Sequence, residues 1–186
     1  MQLAQPALDT TGQILLALLM AVAAAFDLRW RRIPNWLVLA GILAGLLWNT
    51  VGSGLPGLAR AAAGMGVGFL LYFPLYLCRA RGAGDVKLLA AAGTIAGPGN
   101  CCWIFLLTAL LGGVVALALL LFRGRVRQTL FNVAWILREM LSFRAPYKSS
   151  AELDVTTTKG MRLPHAPLLA LGTAALIVVV RFKIRL

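Results

Sequence analysis

Only six acidic side chains occur in the 186-residue sequence, and two of them stand apart from the rest. Asp9 lies in an N-terminal tail, and Glu139, Glu152 and Asp154 lie in a polar stretch; these four read as solvated surface groups. Asp27 and Asp85 instead sit where long apolar runs meet their polar boundaries, 58 positions apart. If those runs cross a membrane, a charge there costs about 2.5–3.5 kcal/mol at the bilayer centre and less near its edge, so such groups usually mark function. Two carboxylates within a few ångströms can share a proton and activate a water for attack on a peptide carbonyl. One takes the water's proton while the other, protonated, donates to the carbonyl oxygen. Two structural roles compete with this. Asp85 follows Gly84 directly before an apolar helix, as an N-cap does, and Asp27 has Arg29, Arg31 and Arg32 as candidate ion-pair partners.

The elements that must position these residues follow from composition. The chain is 60% hydrophobic and 13% charged, with mean hydropathy +0.84. A soluble domain carries about 45–50% apolar and about 25% charged residues. The shift excludes an ordinary soluble domain and a disordered chain alike. The fold class is all-α: a polytopic integral membrane protein with about six transmembrane helices of roughly 20 residues each. What remains is too short for a second folded domain, so residues 1–186 form one membrane-embedded unit.

Apolar spans are expected at 13–27, 35–52, 58–78, 86–98, 102–122 and 164–181. The stretches Gly52 to Gly57 and Gly97-Pro98-Gly99-Asn100 read as turns, and Pro34 suits the first turn of the second helix. Residues 28–34 hold three basic side chains, 79–87 three and 123–163 eight, so 14 of the 18 fall on one side. The positive-inside rule makes that side cytoplasmic and puts the N-terminus outside. The tail residues Arg181, Lys183 and Arg185 violate the rule. Residues 1–13 contain Asp9 and no basic residue, unlike a cleaved signal sequence, so the first span is expected to stay. The fourth span is short, about 20 Å against a hydrocarbon core of about 30 Å, but its removal would place the eight-charge loop outside. Within the cytoplasmic loop at about 123–163, Val126, Leu130, Val133, Ala134, Leu137 and Leu141 follow helical spacing. They suggest an amphipathic helix, on the membrane surface or docked.

The remaining features carry less chemistry. The net charge is +12, but the basic residues cluster beside apolar runs, where they orient helices and meet anionic lipid headgroups rather than nucleic acid. Cys78, Cys101 and Cys102 form no C-x-x-C pair, and the single histidine does not complete a metal site with them; small apolar filler is the expected role. Gly41-x-x-x-Gly45 and Gly64-x-x-x-Gly68 are small-residue faces for close helix approach, in a chain too glycine-rich for them to indicate a particular contact.

The neighbours of the two aspartates say more. Gly82-Ala83-Gly84-Asp85-Val86-Lys87-Leu88 is a G-x-G-D-x-K-L stretch, and Asp27 opens a D-L-R-x-x-x-I-P-N stretch through Pro34 to Asn35. Together they resemble the prepilin peptidases, intramembrane aspartic proteases of the GxGD type. Pro164-His165-Ala166-Pro167 leading into Leu171-Gly172 also looks like that family's last helix. The resemblance covers nearly the whole chain. It implies a bacterial inner-membrane endopeptidase that removes the leader from prepilin or pseudopilin precursors at the cytoplasmic face, with Asp27 and Asp85 catalytic and no metal or cofactor.

Gly82 and Gly84 lack Cβ atoms and so let the backbone bend and approach an extended substrate. Lys87 is placed to hold an acidic substrate group or a lipid phosphate. Asp85, at a helix N-terminus, gains from the helix dipole in its charged form; Asp27, near a helix C-terminus, lacks that help, which puts the shared proton on Asp27. Many members of the family carry a methyltransferase segment with cysteine pairs between the first two spans. Residues 28–34 leave no room for one, so the chain resembles the short, peptidase-only form associated with Flp/Tad-type pili, and pilin N-methylation is not expected of it. The competing reading is a proton-coupled transporter or channel subunit. Both acids lie on one face with no acidic or histidine relay across the remaining thickness, which argues against it. The identity of the pilin and the oligomeric state are not legible in the sequence.

Overall fold

The computed structural model describes residues 8–77, 81–123 and 165–185. The predicted amphipathic helix of the 123–163 loop, Cys78 and Pro164 lie outside the described residues. All described elements are α-helices: α1 Thr10–Trp30, α2 Asn35–Leu77, α3 Ala83–Ala96, α4 Pro98–Arg123 and α5 Ala166–Arg185. Thr10–Trp30, Asn35–Leu77 and Pro98–Leu119 are long and apolar enough to cross a membrane. Leu39, Leu43, Leu47, Leu106, Leu110 and Leu117 all face outward. Such an apolar exterior suits lipid as the solvent, since a helix satisfies its own backbone hydrogen bonds there.

At 43 residues α2 would be about 65 Å long if straight, twice the hydrocarbon thickness. It folds back at Gly54, whose φ of 61° and ψ of −141° break the helix at one residue and divide it into arms of residues 35–53 and 55–77. The turn expected over Gly52 to Gly57 is thus a single-residue reversal, because Gly54 alone takes up the change of direction and the flanking residues keep helical bonds. The second expected turn shrinks in the same way. Gly97, with φ 80°, ends α3, and Pro98 opens α4, where its missing N–H costs nothing. Pro34 precedes α2 by one residue rather than lying in its first turn, and its carbonyl accepts from Val38 N–H at 3.4 Å.

Helix α3 occupies the centre, with Leu88, Leu89, Ala91, Ala92, Thr94 and Ala96 wholly buried. Both glycine pairs serve it. A Cβ on Gly41 would lie 3.4 Å from the Ala91 methyl, and one on Gly45 would meet Thr94 and Ile95. From the other arm, a Cβ on Gly64 would run into the Gly93 carbonyl, and one on Gly68 would lie 2.5 Å from the Leu89 oxygen. Levels 41 and 68 therefore match, as do 45 and 64, so the arms are antiparallel and hold α3 between them. The contacts that the glycine-rich composition left unassigned are specific, because only a bare backbone permits this approach.

At 14 residues α3 is about 21 Å long, and its last carbonyls need partners away from water. Asn49 Nδ2 donates to the carbonyls of Thr94 at 2.9 Å and Ile95 at 3.4 Å, while Arg60 and Asn100 donate to that of Ala96. Helix α5 lies against α1 and α4, with Gly172 closed on Thr108. Cys101 is buried and fills space beside Leu89 and Gly93, whereas Cys102 is exposed.

Candidate active site

Five pieces of chain meet at the end of the bundle opposite Asn49. Asp27 lies in the last turn of α1, which stops when Arg31 enters the left-handed region at φ 51° and returns its N–H to the Asp27 carbonyl at 3.0 Å. Residues 31–34 then lead directly into α2. From the other motif, a Cβ on Gly84 would lie 3.5 Å from Ile33 Cδ1, an ordinary contact. Ile33 thus packs on Gly84, the residue before Asp85, and the two motifs meet there.

Asp85 is not the N-cap. Gly82 holds that position, without a side-chain bond, and Asp85 is the third residue of α3, its N–H bonded to the Gly82 carbonyl at 3.1 Å. Its carboxylate lies within electrostatic reach of Arg81 and Asp27. Asp27 meets a second helix start: its Oδ2 accepts from the Ala166 N–H, the first residue of α5, at 3.0 Å. The premise that only Asp85 enjoys a helix N-terminus is therefore corrected. Both carboxylates have one, and the dipole gives no ground for assigning the shared proton to Asp27. Gly82 also departs from expectation. Its φ of −79° is open to any residue, and among the described residues a Cβ there would meet only Asp85 Oδ2, at 4.0 Å. Here glycine leaves the space over the carboxylate open rather than supplying a bend.

Lys87 and Asn35 come together, Nζ donating to Oδ1 at 3.2 Å at an exposed position. They close the polar end of an apolar cavity of about 650 Å³ between the arms of α2, lined also by Val38, Ile42, Met65 and Phe69. Neither aspartate lines it.

Three further polar residues belong to this end, and the motifs do not include two of them. His165 is 6% exposed and Tyr72 2%. The His165 Nε2 lies 2.8 Å from the Tyr72 hydroxyl, and its Nδ1 lies 2.6 Å from Arg81 Nη1. The Arg81 guanidinium also sits 6.0 Å from the centre of the Tyr72 ring. Burial first, and then the Arg81 charge, push the His165 imidazole down from 6.5 to about 3. Tyr72 is hidden in an apolar run and gives no local signal; Arg81 had one, its place directly before Gly82.

The fold and this end of it define an all-helical membrane protein with two carboxylates, Asp27 and Asp85, at one end of its bundle. Residues 14–117 match the family model described as "Type IV leader peptidase family", and the chain belongs to that family. It is similar to the prepilin leader peptidase/N-methyltransferase of Aeromonas salmonicida strain A449, 31% identical over 126 residues, 64% of this chain and 43% of that protein. The Aeromonas hydrophila protein of the same name matches with the same identity and coverage. The one from Klebsiella pneumoniae is 35% identical over 95 residues, 47% of this chain and 41% of that protein. The chain thus spans less than half the length of the curated relatives it matches. No solved structure matches it.

Proposed function

We propose that this protein is a prepilin leader peptidase of aspartic type, with Asp27 and Asp85 as its catalytic pair. The observation that carries the reading is their convergence. Asp27 ends α1 and Asp85 opens α3, yet both lie at one end of the bundle, within electrostatic reach and each beside a helix N-terminus. In the reaction one carboxylate removes a proton from water as the oxygen attacks the peptide carbonyl, and the other protonates the carbonyl oxygen. Collapse of the tetrahedral adduct breaks the C–N bond, and the leaving amine takes a proton from the pair. The balance is one water added and two peptides released.

The substrate is a pilin or pseudopilin precursor whose leader faces the cytoplasm and whose hydrophobic segment lies along the bundle. The apolar cavity beginning at Asn35 and Lys87, two residues along α3 from Asp85, supports a lane for that segment. A helical carbonyl is already hydrogen-bonded, so the cleaved stretch must unwind, and the open space over Asp85 at Gly82 suits an extended strand. The orientation follows the positive-inside rule, by which the end that carries Arg29, Arg31, Arg32, Arg81 and Lys87 faces the cytoplasm of a bacterial inner membrane with anionic headgroups.

The test is precursor cleavage in membranes containing wild type, Asp27→Asn or Asp85→Asn at matched expression. Wild type is expected to shorten the precursor and both variants to leave it intact. Normal cleavage by either variant would sink the paired mechanism, and ion flux without any precursor would favour a transporter.

A further inference from the structure

We infer that His165 is a positioning residue that locks the two aspartates into register through the Arg81–His165–Tyr72 network. The inference rests on the reading of Asp27 and Asp85 as the catalytic pair. An arginine side chain has only N–H donors and stays charged. Arg81 at 2.6 Å must therefore donate to Nδ1 of His165, which makes that nitrogen the acceptor. The imidazole is then neutral with its proton on Nε2, and Nε2–H donates to the Tyr72 oxygen at 2.8 Å. Both ring nitrogens are engaged, in opposite senses, and the tautomer is fixed by the arginine rather than by pH.

The positions of the three partners give this lock its consequence. Arg81 is the last residue before the Gly82 cap of α3 and lies within electrostatic reach of the Asp85 carboxylate. His165 is the residue before Ala166, whose N–H binds Asp27 Oδ2 at 3.0 Å. Tyr72 belongs to the second arm of α2, is almost wholly buried and packs edge-on against Phe105 of α4, so it anchors the ring to the core. One imidazole thus joins the strand of chain that presents Asp85 to the helix start that holds Asp27. Among the described residues, the titratable and charged groups around the network are Tyr72 from α2, Arg81 and Asp85 from the α3 entry, Cys101 from α4 and Asp27 from α1. Positioning of this kind acts on kcat more than on substrate binding, because a catalytic pair displaced by about 1 Å loses rate on the order of 100-fold.

The chain has a single histidine, so its ring can be read without assignment. The experiment labels histidine with 15N in the full-length chain in lipid nanodiscs and records its ring shifts near neutral pH. It also measures cleavage of a pilin precursor with its leader intact. The expected spectrum is the neutral Nε2–H tautomer in wild type, lost as a fixed state in Arg81→Met. A protonated ring or an Nδ1–H tautomer in wild type overturns the inference.

In cleavage, His165→Phe keeps the ring shape without either bond and is expected to lower kcat at least 10-fold with KM within about twofold. His165→Asn, whose amide oxygen occupies the Nδ1 position and can still accept from Arg81, is expected to recover much of that loss. Arg81→Met approaches the same bond from the other side. The double variant with His165→Phe should fall no further than the worse single, since both remove one interaction. Wild-type kcat in His165→Phe, additive losses, or an asparagine no better than phenylalanine overturn the role. Active Asp27→Asn or Asp85→Asn would instead defeat the catalytic reading, while the tautomer spectrum reports on the lock independently.

Discussion

The carboxylate of Asp27 and the backbone N–H of Ala166 are joined by a hydrogen bond of 3.0 Å across 139 residues of sequence. The bond closes α1 against α5, and it gives one side chain two jobs. As a helix cap, Asp27 satisfies one of the orphan N–H groups at the start of α5. In the proposed reaction the same carboxylate faces Asp85 and handles a proton.

These jobs separate in variants. Asp27→Asn keeps an oxygen that accepts from Ala166 N–H, so the fold should melt within a few degrees of wild type while cleavage is abolished. Asp27→Ala loses the cap as well and should cost about 1 kcal/mol of stability, within the usual range of about 0.5–2 for such removals. Thermal melting in detergent beside a cleavage assay decides it. Equal stability of the two variants would mean the bond to Ala166 contributes nothing to the fold.

The seat of α3 makes a sharper claim about packing. A methyl at position 64 would collide with the Gly93 carbonyl, and one at 93 with that of Gly64. Backbone cannot yield as a flexible side chain does, so Gly64→Ala and Gly93→Ala should each cost about 1–3 kcal/mol, as overpacking does. Gly113, in α4, has nothing within 4 Å of a Cβ among the described residues. Gly113→Ala should therefore be neutral or stabilising by up to about 1 kcal/mol through helix propensity. Ranked unfolding midpoints of the three variants check the contrast.

What was legible in the sequence was what a short stretch encodes by itself. The apolar runs gave the helices, and the D-L-R-x-x-x-I-P-N and G-x-G-D stretches gave the family now shown by the match over residues 14–117. Contacts between distant residues were not legible. Nothing near Gly64 says that Gly93 lies against it, and nothing near Tyr72 says that an imidazole 93 positions away is its partner. The breaks at Gly54 and Gly97 were read as whole turns because composition marks a neighbourhood, whereas one positive φ suffices to reverse or end a helix. The dipole argument for Asp27 failed for the same reason: the helix start beside it belongs to α5.

The far end of α3 offers a test of how a short helix ends without water. Asn49 feeds the carbonyls of Thr94 and Ile95, and Arg60 that of Ala96. Asn49→Leu keeps the volume but strips the donor from two buried acceptors, which should cost about 1–3 kcal/mol. Asn49→Asp should be worse, since a carboxylate would face carbonyl oxygens. Arg60→Met should cost less, because Asn100 also donates to Ala96. If Asn49→Leu melts with wild type, those carbonyls have other donors and the account of the short span is wrong.

The buried histidine ties stability to pH with a definite sign. His165 is held neutral in the fold, its imidazole pushed down to about 3 by burial and by Arg81, against 6.5 when unfolded. Between those values the unfolded chain binds a proton that the folded chain refuses, so stability falls as pH drops from about 6.5 toward 3. Above 6.5 both states are neutral and the contribution is flat. His165→Gln cannot titrate, and it should show a shallower fall of the unfolding midpoint through that window while other acidic groups contribute equally to both proteins. Midpoints measured in one detergent from pH 8 down to pH 4 make the comparison. A wild-type curve parallel to that of the variant would show that the ring is not held neutral, and the hydrogen bond from Arg81 would then have to be abandoned along with it.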